Sequence, residues 1–143
     1  MRRRLVIIVL GIGFLIFMAW LGTSLTEVLP HQPTAAVQTA QAGPYQLTIR
    51  VDPNPPPITR PASLSIQVVS SASQQLVTNA RVTVESTMTT MDMGTDQTSA
   101  IVQNNGLYLA HVQFSMSGPW QVRILVAQPG AHIESATFEI MTQ

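Results

Sequence analysis

Two hydrophobic patterns divide the chain. Behind the basic triplet Arg2, Arg3 and Arg4, residues Leu5 to Leu21 run for seventeen positions without a charge. From Tyr45 onward the period is two: Tyr45-Gln-Leu47-Thr-Ile49-Arg-Val51 alternates apolar and polar residues, as a strand with one buried face does. The same alternation predicts strands over Leu64–Val68, Ala80–Glu85, Ser99–Gln103, Tyr108–Met116, Trp120–Val126 and Ala136–Ile140. Turn chemistry separates them. Asp52 to Pro61 is proline-rich and cannot donate to a ladder. Asn104-Asn105-Gly106, Ser117-Gly118-Pro119 and Gln128-Pro129-Gly130 supply residues that accept tight turns. The predicted fold class is all-β, a seven-stranded antiparallel immunoglobulin-like sandwich preceded by one N-terminal transmembrane helix. Its predicted core is Leu47, Ile49, Leu64, Ile66, Val68, Val82, Val84, Tyr108, Val112, Phe114, Trp120, Val122, Ile124, Phe138 and Ile140.

The N-terminal run is longer than a signal-peptide core of roughly 7 to 15 residues. With Gly22 to Leu25 it reaches the length that crosses about 30 Å of hydrocarbon at 1.5 Å per residue. Residues 1–25 are therefore read as a cytoplasmic stub and anchor whose partner, through residues 5–25, is the lipid bilayer. Cleavage is the alternative, and Gly22-Thr23-Ser24 is a mediocre site for it. The three arginines keep the N-terminus in the cytoplasm and put the chain beyond about Thr23 on the extracytoplasmic face, periplasmic or outer. Residues 26–44 carry Pro30 and Pro33 and no apolar period, and are read as a flexible tether; residues 45–143 form the domain.

Charge narrows the partners. Outside the anchor, Arg50, Arg60, Arg81 and Arg123 stand against seven carboxylates, a net charge of minus three, which excludes nucleic acid. The chain has no cysteine, in keeping with an oxidising compartment, and so no disulfide framework. It shows no nucleophile–base pair, phosphate loop or acid–base dyad, so it reads as a binding or accessory protein and not an enzyme.

The candidate chemistry lies in methionine. Met88-Thr-Thr-Met91-Asp-Met93-Gly94 holds three of the seven methionines within six residues, between two predicted strands, and Met116 lies on a later one. Thioether sulfur is soft and suits Cu(I), and unlike a thiol it is not lost to disulfides. Met88, Met91, Met93 and Met116 are the candidate ligands, with two readings beside metal: soft filler at the open end of the sandwich, or a partner-binding patch. His111 is the weaker candidate. Period two puts it on the face of Leu109 and Gln113, opposite Tyr108, Val112, Phe114 and Met116. His132 and His31 are read as solvated, and Asp92 and Asp96 as hard oxygens that solvate the loop. Trp120 and Tyr108 are read as core residues.

With these residues in view the chain resembles the YtkA-like and FixH-like domains, small extracytoplasmic sandwiches tethered by one helix. The resemblance covers about Tyr45 to Ile140. It is carried by Asn79-Ala80-Arg-Val82-Thr-Val84, the Met-x-x-Met-x-Met-Gly loop, Asn105-Gly106-Leu-Tyr108-x-Ala110 and Phe114-x-Met116-x-Gly118-x-Trp120-x-Val122. Relatives often place a histidine after the Met-Gly pair, where this chain has Thr95. The resemblance implies copper handling or metalloenzyme assembly. Two functions are expected from it. One is a membrane-anchored Cu(I)-binding protein with a copper-accepting client. The other is a metal-free accessory subunit docking on a larger membrane complex of respiratory or photosynthetic electron transfer.

Overall fold

Alternation builds two sheets whose apolar faces meet. The computed structural model describes residues 34–143; the predicted transmembrane helix, the first part of the tether and His31 lie outside the described residues. Nine strands run in order: β1 Val37–Ala42, β2 Tyr45–Asp52, β3 Ala62–Ser70, β4 Arg81–Met88, β5 Asp96–Ser99, β6 Ile101–Val102, β7 Tyr108–Val112, β8 Gly118–Ala127 and β9 Glu134–Thr142. One sheet has the order β1-β2-β3-β7-β6 and the other β5-β4-β8-β9, with every pairing antiparallel. The fold is an all-β sandwich, as the alternation predicts.

All fifteen predicted core residues are buried between the sheets. Strand β3 shows why. Leu64, Ile66 and Val68 are fully buried while the intervening Ser65 and Gln67 stay partly accessible. Trp120 packs edge-on against Phe114 of the connection between β7 and β8, centroids 5.3 Å apart and rings at 66°, an aromatic contact that ties this connection to the core.

The strand count is nine, not seven. Val37–Ala42, read from sequence as tether, is an edge strand paired to β2 from Val37↔Arg50 to Ala42↔Tyr45. Its pattern escapes a hydrophobic search because an edge strand of Val, Gln, Thr and Ala buries only Ala42. The expected strand Ser99–Gln103 is two: β5 belongs to one sheet, β6 to the other, and Ala100 is the crossing point, its N–H bonded to the Val82 carbonyl at 2.9 Å. The opposite side is closed by Gln38, whose amide donates to the Glu139 carbonyl at 2.8 Å.

Candidate functional site

Strand directions gather distant segments at one end of the sandwich. Strands β2, β4, β7 and β9 finish there and β3 and β8 begin there, as the registers Asp52↔Ser63, Ala62↔Val112, Met88↔Trp120 and Gly118↔Thr142 require. The end therefore carries the β2–β3 proline segment, the β4–β5 methionine loop, the β7–β8 connection and the C-terminus. Hydrogen bonds tie them together: Ile58 N–H to the Gln143 carbonyl at 3.1 Å, Gln143 N–H to the Pro56 carbonyl at 3.0 Å, and the Gln113 amide to the Ile58 carbonyl at 2.6 Å.

The predicted loop begins later than expected. Met88 is the last residue of β4, on the inward face with Val82, Val84 and Ser86, and is buried. A Cβ on Gly118 would lie 3.0 Å from the Met88 methyl carbon, so Met88 packs directly under that glycine. The loop proper runs from Thr89 to Thr95. Thr89 anchors its start through its N–H and hydroxyl, both donated to the Pro119 carbonyl at 3.1 Å. A Thr87–Thr95 hydroxyl pair at 3.0 Å closes its neck. Gly94 turns the chain at φ +82°, a conformation that favours glycine, and donates to the Asp92 carboxylate at 3.3 Å. Met91 and Met93 are left on the outside, 52% and 49% exposed.

Met116 joins them from a different element than predicted. Strand β7 stops at Val112, because its partner β3 starts only at Ala62, after Pro61. Met116 therefore sits in a connection, not on a strand. Its carbonyl is fixed by two donors, the Trp120 indole N–H at 3.0 Å and the Thr142 hydroxyl at 2.8 Å, and its residue is 38% exposed. Three exposed thioethers from two loops thus share one end, with Met88 in the core beneath.

His111 faces away from this set. It is exposed on the outer side of the β1-β2-β3-β7-β6 sheet, with Nδ1 3.3 Å from the Ser63 hydroxyl. His132 is exposed beyond Gly130. Asp92 and Asp96 are exposed at the loop. Among the described residues, no three His, Asp or Glu side chains come together to hold a metal ion. Tyr108 is a buried latch: its hydroxyl donates to the Val77 carbonyl at 2.9 Å and accepts from the Ala80 N–H at 3.1 Å. Burial pushes its pKa up, and the Ala80 N–H opposes part of that rise.

Sequence reasoning missed Ile58, exposed in the proline segment at this same end. No local signal could have placed it there, because the neighbourhood is set by strand order. It also missed the Trp120 and Thr142 contacts that hold the Met116 backbone.

The YtkA-like family model matches residues 36–125, from the residue before β1 into β8 and across Met88, Met91, Met93 and Met116. Among solved structures the chain is similar to FetP of uropathogenic E. coli strain F11, crystallised as isolated after recombinant expression in the periplasm of E. coli BL21(DE3). The TM-score is 0.55 at 10% identity, covering 78% of this chain and 97% of that one. At that identity the likeness is one of fold. No curated protein matches the chain.

Proposed function

Starting from the fact that this chain belongs to the YtkA-like family, we propose that it is a membrane-anchored extracytoplasmic protein that binds Cu(I) at the methionine end of its sandwich. The observation that carries this reading is the convergence of exposed Met91, Met93 and Met116 on one end from two separate loops. Met91, Met93 and Met116 put three accessible soft donors on one end of the domain. The donor set fits a soft d10 cation: neutral sulfur ligands that satisfy Cu(I) and discriminate against zinc. Met91, Met93 and Met116 would hold the ion, and Met88 is a deeper fourth candidate beneath them. With Thr95 in the position where relatives often carry a histidine, no imidazole stands in the loop to favour Cu(II).

The chain's own residues supply three further things. The Thr89 and Thr87–Thr95 contacts limit how far the loop can spread. The Trp120 and Thr142 donors fix the Met116 backbone, so its side chain starts from a defined point. Asp92 and Asp96 place negative charge beside a cation. Thioethers carry no proton at any ordinary pH, so affinity should stay flat where an imidazole or thiol site would weaken with acid. Anaerobic Cu(I) titration at several pH values tests this; a steep loss of affinity toward pH 5 would contradict a thioether site.

The second reading is a metal-free accessory subunit docking on a larger membrane complex. Exposed Ile58, on the same end as the three methionines, favours it, because that end carries apolar surface with or without metal. Co-purification with a stable membrane complex, unaffected by methionine-to-leucine substitutions, would support it over copper binding.

A further inference from the structure

The methionines of the described residues differ in access in a way that sets an order of chemical reactivity. Met91, Met93 and Met116 are 52%, 49% and 38% exposed, whereas Met88 is 7% exposed under Gly118 and Met141 is half-buried on β9. Thioether oxidation by a peroxide requires approach to a sulfur lone pair. That lone pair attacks one peroxide oxygen, and an S–O bond forms as the O–O bond breaks. The departing hydroxide takes the proton shed by the transferred oxygen and leaves as water. Sulfur is oxidised by two electrons and the peroxide is reduced by two. Susceptibility therefore tracks exposure, and the product is a polar sulfoxide.

We propose that Met91, Met93 and Met116 form a reversible oxidation site for peroxide-class oxidants, and that sulfoxide formation there turns off soft-metal binding while leaving the domain folded. The metal half of this proposal rests on the Cu(I) reading. Its structural half rests on how the site is held. The contacts that fix the two loops are made by threonine hydroxyls, backbone groups and the Trp120 indole, and none uses a methionine sulfur. Oxidising the exposed sulfurs therefore removes no hydrogen bond that holds the two loops. A sulfoxide presents a hard oxygen in place of the soft sulfur, which Cu(I) disfavours. The same exposure that admits the oxidant leaves the sulfoxides open to a methionine sulfoxide reductase, which makes the change a switch and not only damage.

The test uses the full-length chain in detergent, incubated with excess hydrogen peroxide and sampled over time. Peptide mass spectrometry should show Met91, Met93 and Met116 each gaining one oxygen before Met88 and Met141 do. Far-UV circular dichroism should then show an unchanged thermal transition. Competition with a chromogenic Cu(I) chelator under anaerobic conditions should show affinity falling at least on the order of tenfold. Methionine sulfoxide reductase should restore it. Oxidation of Met88 as fast as Met91, loss of the folding transition once the three are oxidised, or undiminished Cu(I) affinity in the oxidised protein would each overturn the proposal. A parent chain that binds no Cu(I) before peroxide would contradict the proposed function instead; ordered oxidation with a retained fold would still establish the modification site.

Discussion

Replacing Trp120 with alanine probes the fold and the site through one side chain. Trp120 is 2% exposed on the central strand β8, between Met88 of β4 and Ile140 of β9, and meets Phe114 of the β7–β8 connection at 5.3 Å. Truncation removes the largest buried side chain and the aromatic pair, for a cost of about 3 to 5 kcal/mol. Its lost hydrogen bond adds little, because the Met116 carbonyl keeps the Thr142 hydroxyl at 2.8 Å. Against a typical domain stability of about 5 to 15 kcal/mol, the change takes a large share and should lower the melting temperature on the order of 15 °C. Trp120→Phe separates two effects. It keeps most of the packing, should cost about 1 to 2 kcal/mol, and removes the N–H that fixes Met116. Urea unfolding monitored by circular dichroism measures both variants. A Trp120→Ala protein within about 1 kcal/mol of the parent would refute the claim that this indole anchors the core.

Three other outcomes are expected from particular contacts. Tyr108→Phe leaves the Val77 carbonyl and Ala80 N–H without their shared partner and should cost about 1 to 3 kcal/mol. Because burial raises the folded-state pKa of Tyr108 above the ordinary 10.0, the group's contribution is fully present below that pH and is lost as pH rises through the folded value. The parent should therefore lose stability in alkali more steeply than the phenylalanine variant, as pH-dependent urea melts would show. Met88→Ala should cost about 2 to 4 kcal/mol and Met88→Leu under about 1.5, whereas Met91→Leu should stay within about 0.5 of the parent, all by urea melts; equal sensitivity at Met88 and Met91 would make the whole loop structural. Finally, a C-terminal reporter active only beyond the cytoplasmic membrane should work in cells, and one active only in the cytoplasm should not.

Most of the fold was legible because one face of each central strand is buried, and that forces period two on the sequence. Leu47, Ile49, Leu64, Ile66 and Val68 announce β2 and β3 without any knowledge of their neighbours. The polar edge strands β1 and β5 were not legible, whereas the edges β6 and β9 were. β1 and β5 are built of Val, Gln, Thr, Ala, Asp and Ser, with little to bury, and they exist because a neighbouring strand offers backbone partners. The methionine loop was visible in sequence as a cluster, but its division was not. Met88 falls in phase with Val84 and Ser86 and turns inward, while Met91 and Met93 lie beyond the last β4–β8 pair at Met88↔Trp120. Met116 kept the alternation of Tyr108, Val112 and Phe114 past the point where Pro61 ends the partner strand, so pattern and hydrogen bonding parted there. That Ile58 shares this end depends on strand order alone.

Binding at the methionine end is tested most directly by an anaerobic Cu(I) titration of the full-length chain beside its Met91→Leu/Met93→Leu variant, which keeps side-chain volume and removes two sulfurs. The parent should bind about one Cu(I), prefer it to zinc, and lose affinity in the double variant while its melting temperature holds. Unchanged Cu(I) affinity in the variant, or no stoichiometric binding by the parent, would contradict a thioether site at this end of the sandwich.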